Sequence, residues 1–478
     1  MNKKILISGI LAGAAVLTLS GCNIKDPEVK PDQSKIGTEQ KASKIYASDY
    51  SMDLNLDADG KKLTSVVTAQ IENNTDKTTD KLVFDIPSSP SFRIDKTYLG
   101  KDTSAEISSS KSDAASGMFT IDLGDDAFEP GENLIVTMEI SQDIPENNSL
   151  FGYYNFDEHS EFILSGCFPV LAEYKDGEWI TESNGYKQAS NYKVSFKAPT
   201  EYYVVASGNE TRGEDGVTTI EAMDTNDFAI VLSNKFRSHY WSNDIITVNY
   251  YYLDKGEGYR LARDVIELRV PIGIDWLESN FTKYPWSEYD MVQIYDDSEA
   301  IAHSGLMTFG GKNLYDGVPE EETEEVKSKL ASVFTGGLVS QWFEKMTAVH
   351  NNPDGWMDKG ITTWLDDYVR ANMYDVKEDR HIDDTIRKAR EEHPKEMNMK
   401  LNDSFPDEKT ADIVYRYRGA EFMEDLYKAL GDESMTSILR EYLTQNFLKM
   451  SDTENFMSFI NRFNTDNTAP VIEKYFNK

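Results

Sequence analysis

The hydrophobic pattern changes period once, near residue 255, and that change divides the chain into a β part followed by a helical part. From about 45 to 235, short runs such as LTSVVTAQIENN, KLVFDIP, NLIVTMEISQDIP, NYKVSFKAP and VTTIEA alternate apolar with polar residues, and segments such as DADG, ENNTDKTTD and GNETRGEDG separate them. A period of two with Asn, Asp and Gly breaks predicts a largely antiparallel β domain with one buried face. So many strands need a second layer, so sandwich geometry is expected. Beyond 255 the apolar residues recur at helical spacing. GYRLARDVIELRVPIGIDWLESNF reads as helix, with Pro271 as a boundary or kink, and DMVQIYD reads as a strand. Residues 321–346 form a helix with an acidic opening that complements its dipole and an apolar stripe from Val326 to Met346. Further helices are expected at about 356–372, 378–394, 409–430, 434–448 and 452–463, with no internal repeat.

The first 22 residues carry a different message. MNKK is a short basic start, ILISGILAGAAVLTL is an uncharged apolar run, and Leu19-Ser20-Gly21-Cys22 follows. The run is shorter than the roughly 20 residues a spanning helix wants, and a processing signal fits it better. LSGC resembles the lipobox of bacterial lipoproteins, which implies cleavage before Cys22, a lipid on its sulfur, and a folded part held outside the cytoplasmic membrane. Two or three acyl chains give stable anchoring. The expected organisation is a signal peptide at 1–21, lipidated Cys22 with a polar tether to 44, a β domain at 45–240 and a mainly helical domain at 241–478.

Composition narrows the function classes. The formal charge is −34, and losing Lys3 and Lys4 with the signal takes it to −36. Such a field repels nucleic acid, so a nucleic-acid partner is not expected. Of two cysteines one is assigned to the lipid, so Cys167 has no intrachain partner and the fold must stand without disulfides. Six histidines are a sparse supply for metal chemistry. No feature sets an oligomeric state.

Several segments together resemble the membrane alanyl aminopeptidase family, zinc enzymes of the gluzincin class. Cys167 to Trp179 resembles a family segment in the β domain. Gln341-Trp342-Phe343 matches the residues after the family's zinc motif, and Asp354, Trp356 and Gly360 match positions around its third ligand. Arg418-Gly419-Ala420 resembles a Lys-Gly-Ala turn, and Leu430-Gly431-Asp432-Glu433 resembles its continuation. The resemblance implies a β domain followed by a thermolysin-like peptidase domain, with the family's long C-terminal helical domain absent.

The family motif is His-Glu-x-x-His, eighteen residues, then Glu, in which two histidines one helical turn apart face a metal and the glutamate activates its water. By the resemblance, Gly336 and Ser340 stand at the histidine positions, Gly337 at the base and Lys359 at the third ligand. Glycine offers no ligand, and an ammonium repels the ion. Thr308, in Gly305-Leu306-Met307-Thr308-Phe309, stands where the family binds the substrate amine. Arg416, between Tyr415 and Tyr417, stands where it stabilises an oxyanion. No catalytic residue, metal or cofactor is therefore expected. Met307, Tyr415 and Tyr417 are expected to border a groove that binds peptide or another extracytoplasmic ligand. The alternative is an active hydrolase using a rearranged site, for which His303, His350, Asp354, Asp358, Asp366 and Asp367 are the nearby groups. The glycine pair has two readings: close approach of the helix bearing Lys359, or an enlarged cavity floor. Lys359 is expected to be buried and paired with a carboxylate, Glu344 ahead of Asp354.

Overall fold

The computed structural model describes residues 44–477, apart from 88, 101–104, 107–109, 114–116, 182–184, 186–187, 214, 243–245, 374 and 464. The segments expected to be a signal peptide and a tether, with Cys22 between them, lie outside the described residues. A β-rich part is followed by a largely helical part, as the change of period predicts.

An eight-stranded sheet forms the body of the β part. Its order is Asn209–Arg212, Val217–Thr225, Ser190–Lys197, Ile45–Asp57, Lys62–Asn73, Asn133–Asp143, Arg93–Gly100 and Ala105–Glu106. Pairing is antiparallel except between Ile45–Asp57 and Ser190–Lys197. In Lys62–Asn73 the alternation is strict: Leu63, Ser65, Val67, Ala69, Ile71 and Asn73 are buried and the residues between them are more exposed. The apolar ones share one core with Leu82, Val83 and Phe84 of a second sheet and with Phe162, Leu164, Ile230 and Leu232 of a third. The third sheet is ordered Tyr203–Ala206, Ala229–Ser233, His159–Ser165 and Phe151–Phe156. Between Tyr174–Lys175 and Glu178–Trp179, Asp176 and Gly177 both take positive φ, 55° and 92°, the conformation a two-residue hairpin turn demands. That turn returns Trp179, which donates to Thr79 Oγ1 and the Lys81 carbonyl.

The helical part is built around a five-stranded sheet, Phe236–Ser242, Thr247–Leu253, Glu288–Ile294, Leu306–Gly310 and Ile301–His303. Its first strand begins before residue 240, so the expected division at 240/241 falls inside a strand. Thr247–Leu253 and Glu288–Ile294 run parallel, joined by helix α1 (Gly258–Asn280). Pro271 lies inside α1 and does not end it; Ala262, Ile266, Val270, Ile274 and Leu277 keep one buried stripe through it. Glu288–Ile294 is buried on both faces, as a covered parallel strand should be. Tyr289 and Met291 face the helices, whereas Val292 and Ile294 face the β part.

The other principal helices are α2 (Thr323–Ser340), α3 (Gly355–Asn372), α4 (Ile382–Glu392), α5 (Gly419–Leu430), α6 (Asp432–Gln445), α7 (Thr453–Ile460) and α8 (Thr465–Tyr475). A π turn, Gln341–Lys345, continues α2, and another, Val414–Arg418, leads from Glu408–Ile413 into α5. The sequence pattern did not signal α8, in which Pro470 interrupts a polar run; Tyr475 and Phe476 dock it on Phe422.

The two parts meet across an apolar seam in which Tyr154, Phe156, Ile163 and Val231 pack against Tyr251, Val292, Ile294 and Leu306. Within it Glu161 is fully buried. One of its oxygens accepts from Tyr295 N at 2.9 Å, and the other has no partner. Burial pushes its carboxyl up from 4.5 to about 8. A raised folded-state value contributes stability that is complete below 4.5 and is lost as pH rises through about 8. Glu161→Gln keeps an acceptor for Tyr295 and removes that loss. Its advantage over the parent chain should be small at pH 4.5 and grow to the order of a few kcal/mol by pH 8. Paired thermal melts across that range check this, and a pH-independent difference would contradict it.

Candidate functional site

The positions assigned by the resemblance lie where α2, the Leu306–Gly310 strand, α3 and the Val414–Arg418 turn approach one another. A Cβ on Gly336 would meet no atom within 4 Å, whereas one on Gly337 would lie 2.5 Å from Met307 Sδ and 3.4 Å from Tyr289 Oη. Gly337 therefore makes room for Met307, which corrects the expectation that the glycine pair accommodates the helix bearing Lys359. Ser340 donates to Glu344 Oε1 at 2.8 Å. Lys359 bonds to Asp412, and Asp412 also faces Arg416 Nε at 3.8 Å. Arg416 pairs with Glu299 at 3.3 Å. Lys359 is thus neither buried nor paired with Glu344 or Asp354. Its side chain is 42% exposed, and its counter-charge comes from the helix leading into α5.

That pairing follows from how the helices cross. A Cβ on Gly360 would lie 2.7 Å from Gly419 Cα and 2.8 Å from the Tyr415 carbonyl oxygen, so α3 and the start of α5 touch backbone to backbone beside Lys359. Gly355 is covered in the same way by the Tyr415 ring.

The expected groove residues are packed inside. Met307 and Thr308 are fully buried, and Thr308 Oγ1 has no hydrogen-bond partner. Tyr415 is 2% exposed and donates to Asn352 Oδ1 at 2.9 Å. Tyr417 is half-buried against the helical core, its ring 6.4 Å from that of His393. Arg416, between the two tyrosines, presents a charged end toward solvent.

Four of the groups weighed for a rearranged site, His350, Asp354, Asp366 and Asp367, are engaged elsewhere, whereas neither ring nitrogen of His303 has a hydrogen-bond partner. His350 bonds Glu173 at 2.9 Å, and Asp354 accepts from the Thr453 amide and hydroxyl. Asp366 binds Arg370 and Ser332, and Asp367 binds Arg380. Asp358 also interacts with neighbouring groups. His303 is buried with Nδ1 3.4 Å from Asp227 Oδ2. Cys167 is buried, and burial pushes its thiol up to about 12, so it is no thiolate at neutral pH.

Asp227 was not foreseen. It comes from the turn before Ala229–Ser233 and accepts from Ser304 N at 2.8 Å, Ser304 Oγ at 3.0 Å and Lys345 Nζ at 3.0 Å. Burial opposes the Lys345 charge, but Asp227 and Glu344 outweigh it and hold the ammonium above its usual range. Beside Asp227, Asn226 Nδ2 donates to the Lys345 carbonyl at 3.1 Å. Gln341 completes the join: its Oε1 accepts from Gly305 N, and its Nε2 donates to the His303 carbonyl, each at 3.0 Å.

Residues 270–475 match the family model described as Peptidase family M1 domain. A two-domain M1 zinc metallopeptidase bound to L-tryptophan superposes with a TM-score of 0.63 at 14% identity, over 91% of this chain and 95% of that one. An M1 zinc metallopeptidase from Deinococcus radiodurans superposes with a TM-score of 0.62 over the same shares. The fold is M1-peptidase-like. Aminopeptidase A of Gloydius brevicauda is 26% identical over 196 residues, and the alanine/arginine aminopeptidase of Saccharomyces cerevisiae is 22% identical over 173. The chain spans only 20% of the length of each of these relatives.

An M1-like fold implies zinc, but the residues present do not fit it. Zinc takes about three N, S or O donors, whereas Gly336 supplies none, Ser340 gives its proton to Glu344 and Lys359 is a paired cation. Among the described residues, the one group of three or more His, Cys, Asp or Glu with ligand atoms within 4.8 Å of one another is Glu210, Glu288 and Asp290, which holds no histidine.

The glycines give a direct check on this geometry. Gly360→Ala should destabilise the chain by about 3 kcal/mol, because only backbone stands in the way and backbone cannot swing aside. Gly336→Ala, in open space on a helix, should be neutral or stabilise by up to about 1 kcal/mol. Chemical denaturation of both variants should show opposite signs, and equal effects would refute the crossing described.

Proposed function

We propose that this protein is an extracytoplasmic lipoprotein, anchored through Cys22, that uses an aminopeptidase-like fold to bind or scaffold rather than to hydrolyse. The observation that carries this is the state of the three positions aligned with the family's metal ligands. One is empty of side chain, one is a hydroxyl satisfied on its own helix, and one is an ammonium paired with Asp412. The Thr308 position, buried without a partner, likewise has no carboxylate for a substrate amine. The likeness to aminopeptidases supports a peptide as the class of ligand. Its point of access is the charged border made by Glu299, Lys359, Asp412 and Arg416, since Met307 and Tyr415 are sealed inside.

The test is metal content together with turnover. The full chain, purified in detergent without chelator and dialysed, should carry far less than one zinc per molecule by elemental analysis. It should also release nothing from a panel of aminoacyl fluorogenic substrates. Stoichiometric zinc with chelator-sensitive release would end the non-catalytic reading and put an active peptidase in its place.

A further inference from the structure

We infer that Glu210, Glu288 and Asp290 form a site for one hard divalent cation, calcium foremost, that fastens the β part to the central sheet of the helical part. Glu210 lies on Asn209–Arg212, the edge strand of the eight-stranded sheet, and the other two lie on Glu288–Ile294. Residues two apart on a strand share a face, so Glu288 and Asp290 point the same way as Val292, toward the seam. Each of the three carboxylates offers an oxygen within 4.8 Å of those of the other two. Calcium holds oxygens at about 2.3–2.6 Å, so two oxygens on one ion stand at most about 5 Å apart. That spacing lets all three carboxylates reach a single ion.

The state of the oxygens points to an occupant independently of that spacing. Asp290 is 1% exposed; its Oδ1 accepts from Asn249 Nδ2 at 2.7 Å, and its Oδ2 is buried without any partner. Glu288 Oε1 is also buried and unpartnered. Such oxygens are rare unless water, an ion or a proton satisfies them, and water cannot neutralise three clustered carboxylates. Among the described residues, no Lys, Arg or His forms an ion pair with any of the three. A cation or protons must therefore supply the missing charge. An all-oxygen donor set selects calcium, magnesium or manganese over zinc, and among these calcium best tolerates an irregular cage. Next to the site, Ser287 Oγ donates to Asn209 Oδ1 at 3.0 Å, so the same two strands are already held in register.

The experiment uses the full chain, stripped with EDTA, dialysed and titrated with calcium chloride by isothermal calorimetry at pH 8, with melting followed in parallel. One calcium per chain and a raised melting temperature are expected. Glu210→Gln and Glu288→Gln should melt cooperatively and bind calcium at least tenfold more weakly, whereas Glu320→Gln, in an exposed acidic run, should bind as the parent does. The parent titration decides the matter even if a variant fails to fold. Absence of binding by calcium, magnesium and manganese at millimolar concentration would overturn the inference and leave protons as the neutralising species. Binding that survives in both variants, or a preference for zinc, would overturn it as well.

Discussion

Lys345 ends the helix that carries the aligned metal positions, and its ammonium is buried. A buried charge is tolerated only when paired and hydrogen-bonded. The partner here is Asp227, which belongs to the other half of the molecule. The pair therefore fixes the end of α2 to the β part. Asn226 and Gln341 satisfy the backbone around the same point, one taking the carbonyl of Lys345 and the other the Gly305 turn. The rest of the site inherits its position from this knot: α2 cannot shift along its axis without stranding a charge, and Met307 stays pressed against Gly337.

With that frame fixed, the positions that the resemblance aligns with the family's catalytic residues serve packing and surface chemistry. A smaller residue at 337 admits a methionine, a hydroxyl at 340 closes a local hydrogen bond, and a lysine at 359 joins a half-exposed lattice with Asp412 and Arg416. None of these contacts needs a metal to hold the helices apart. The crossing at Gly360 and Gly419 supplies the close approach instead.

The division into β and helical parts was legible because each obeys its own period over many residues. Which sheet a strand joins was not, since alternation reports a buried face and not its neighbour. Phe236–Ser242 and Thr247–Leu253 accordingly belong to the second part although β pattern runs through the first. The partner of Lys359 was misjudged for a related reason. Proximity along the chain favoured Glu344, but Asp412 lies 53 residues away and is delivered by a helix crossing that only two glycines foreshadow. The carboxylate cluster was not legible: the expected strand opened at Asp290 and left Glu288 out, and Glu210 reaches them only through the tertiary fold. Helix α8 was invisible because Pro470 and its polar neighbours hide the stripe that Tyr475 completes.

We propose that the frame of a zinc site persists while its side chains have been replaced. Zinc titration of the folded triple variant Gly336→His, Ser340→His, Lys359→Glu addresses it most directly. Open space at 336 leaves room for one imidazole, and residue 340, now bonded to Glu344, stands one turn further along α2. The account predicts one zinc per chain for the triple variant and none for its parent. A well-folded triple variant that takes up no zinc would show that α2 and α3 do not face each other as the resemblance requires, and the site assignment would fall.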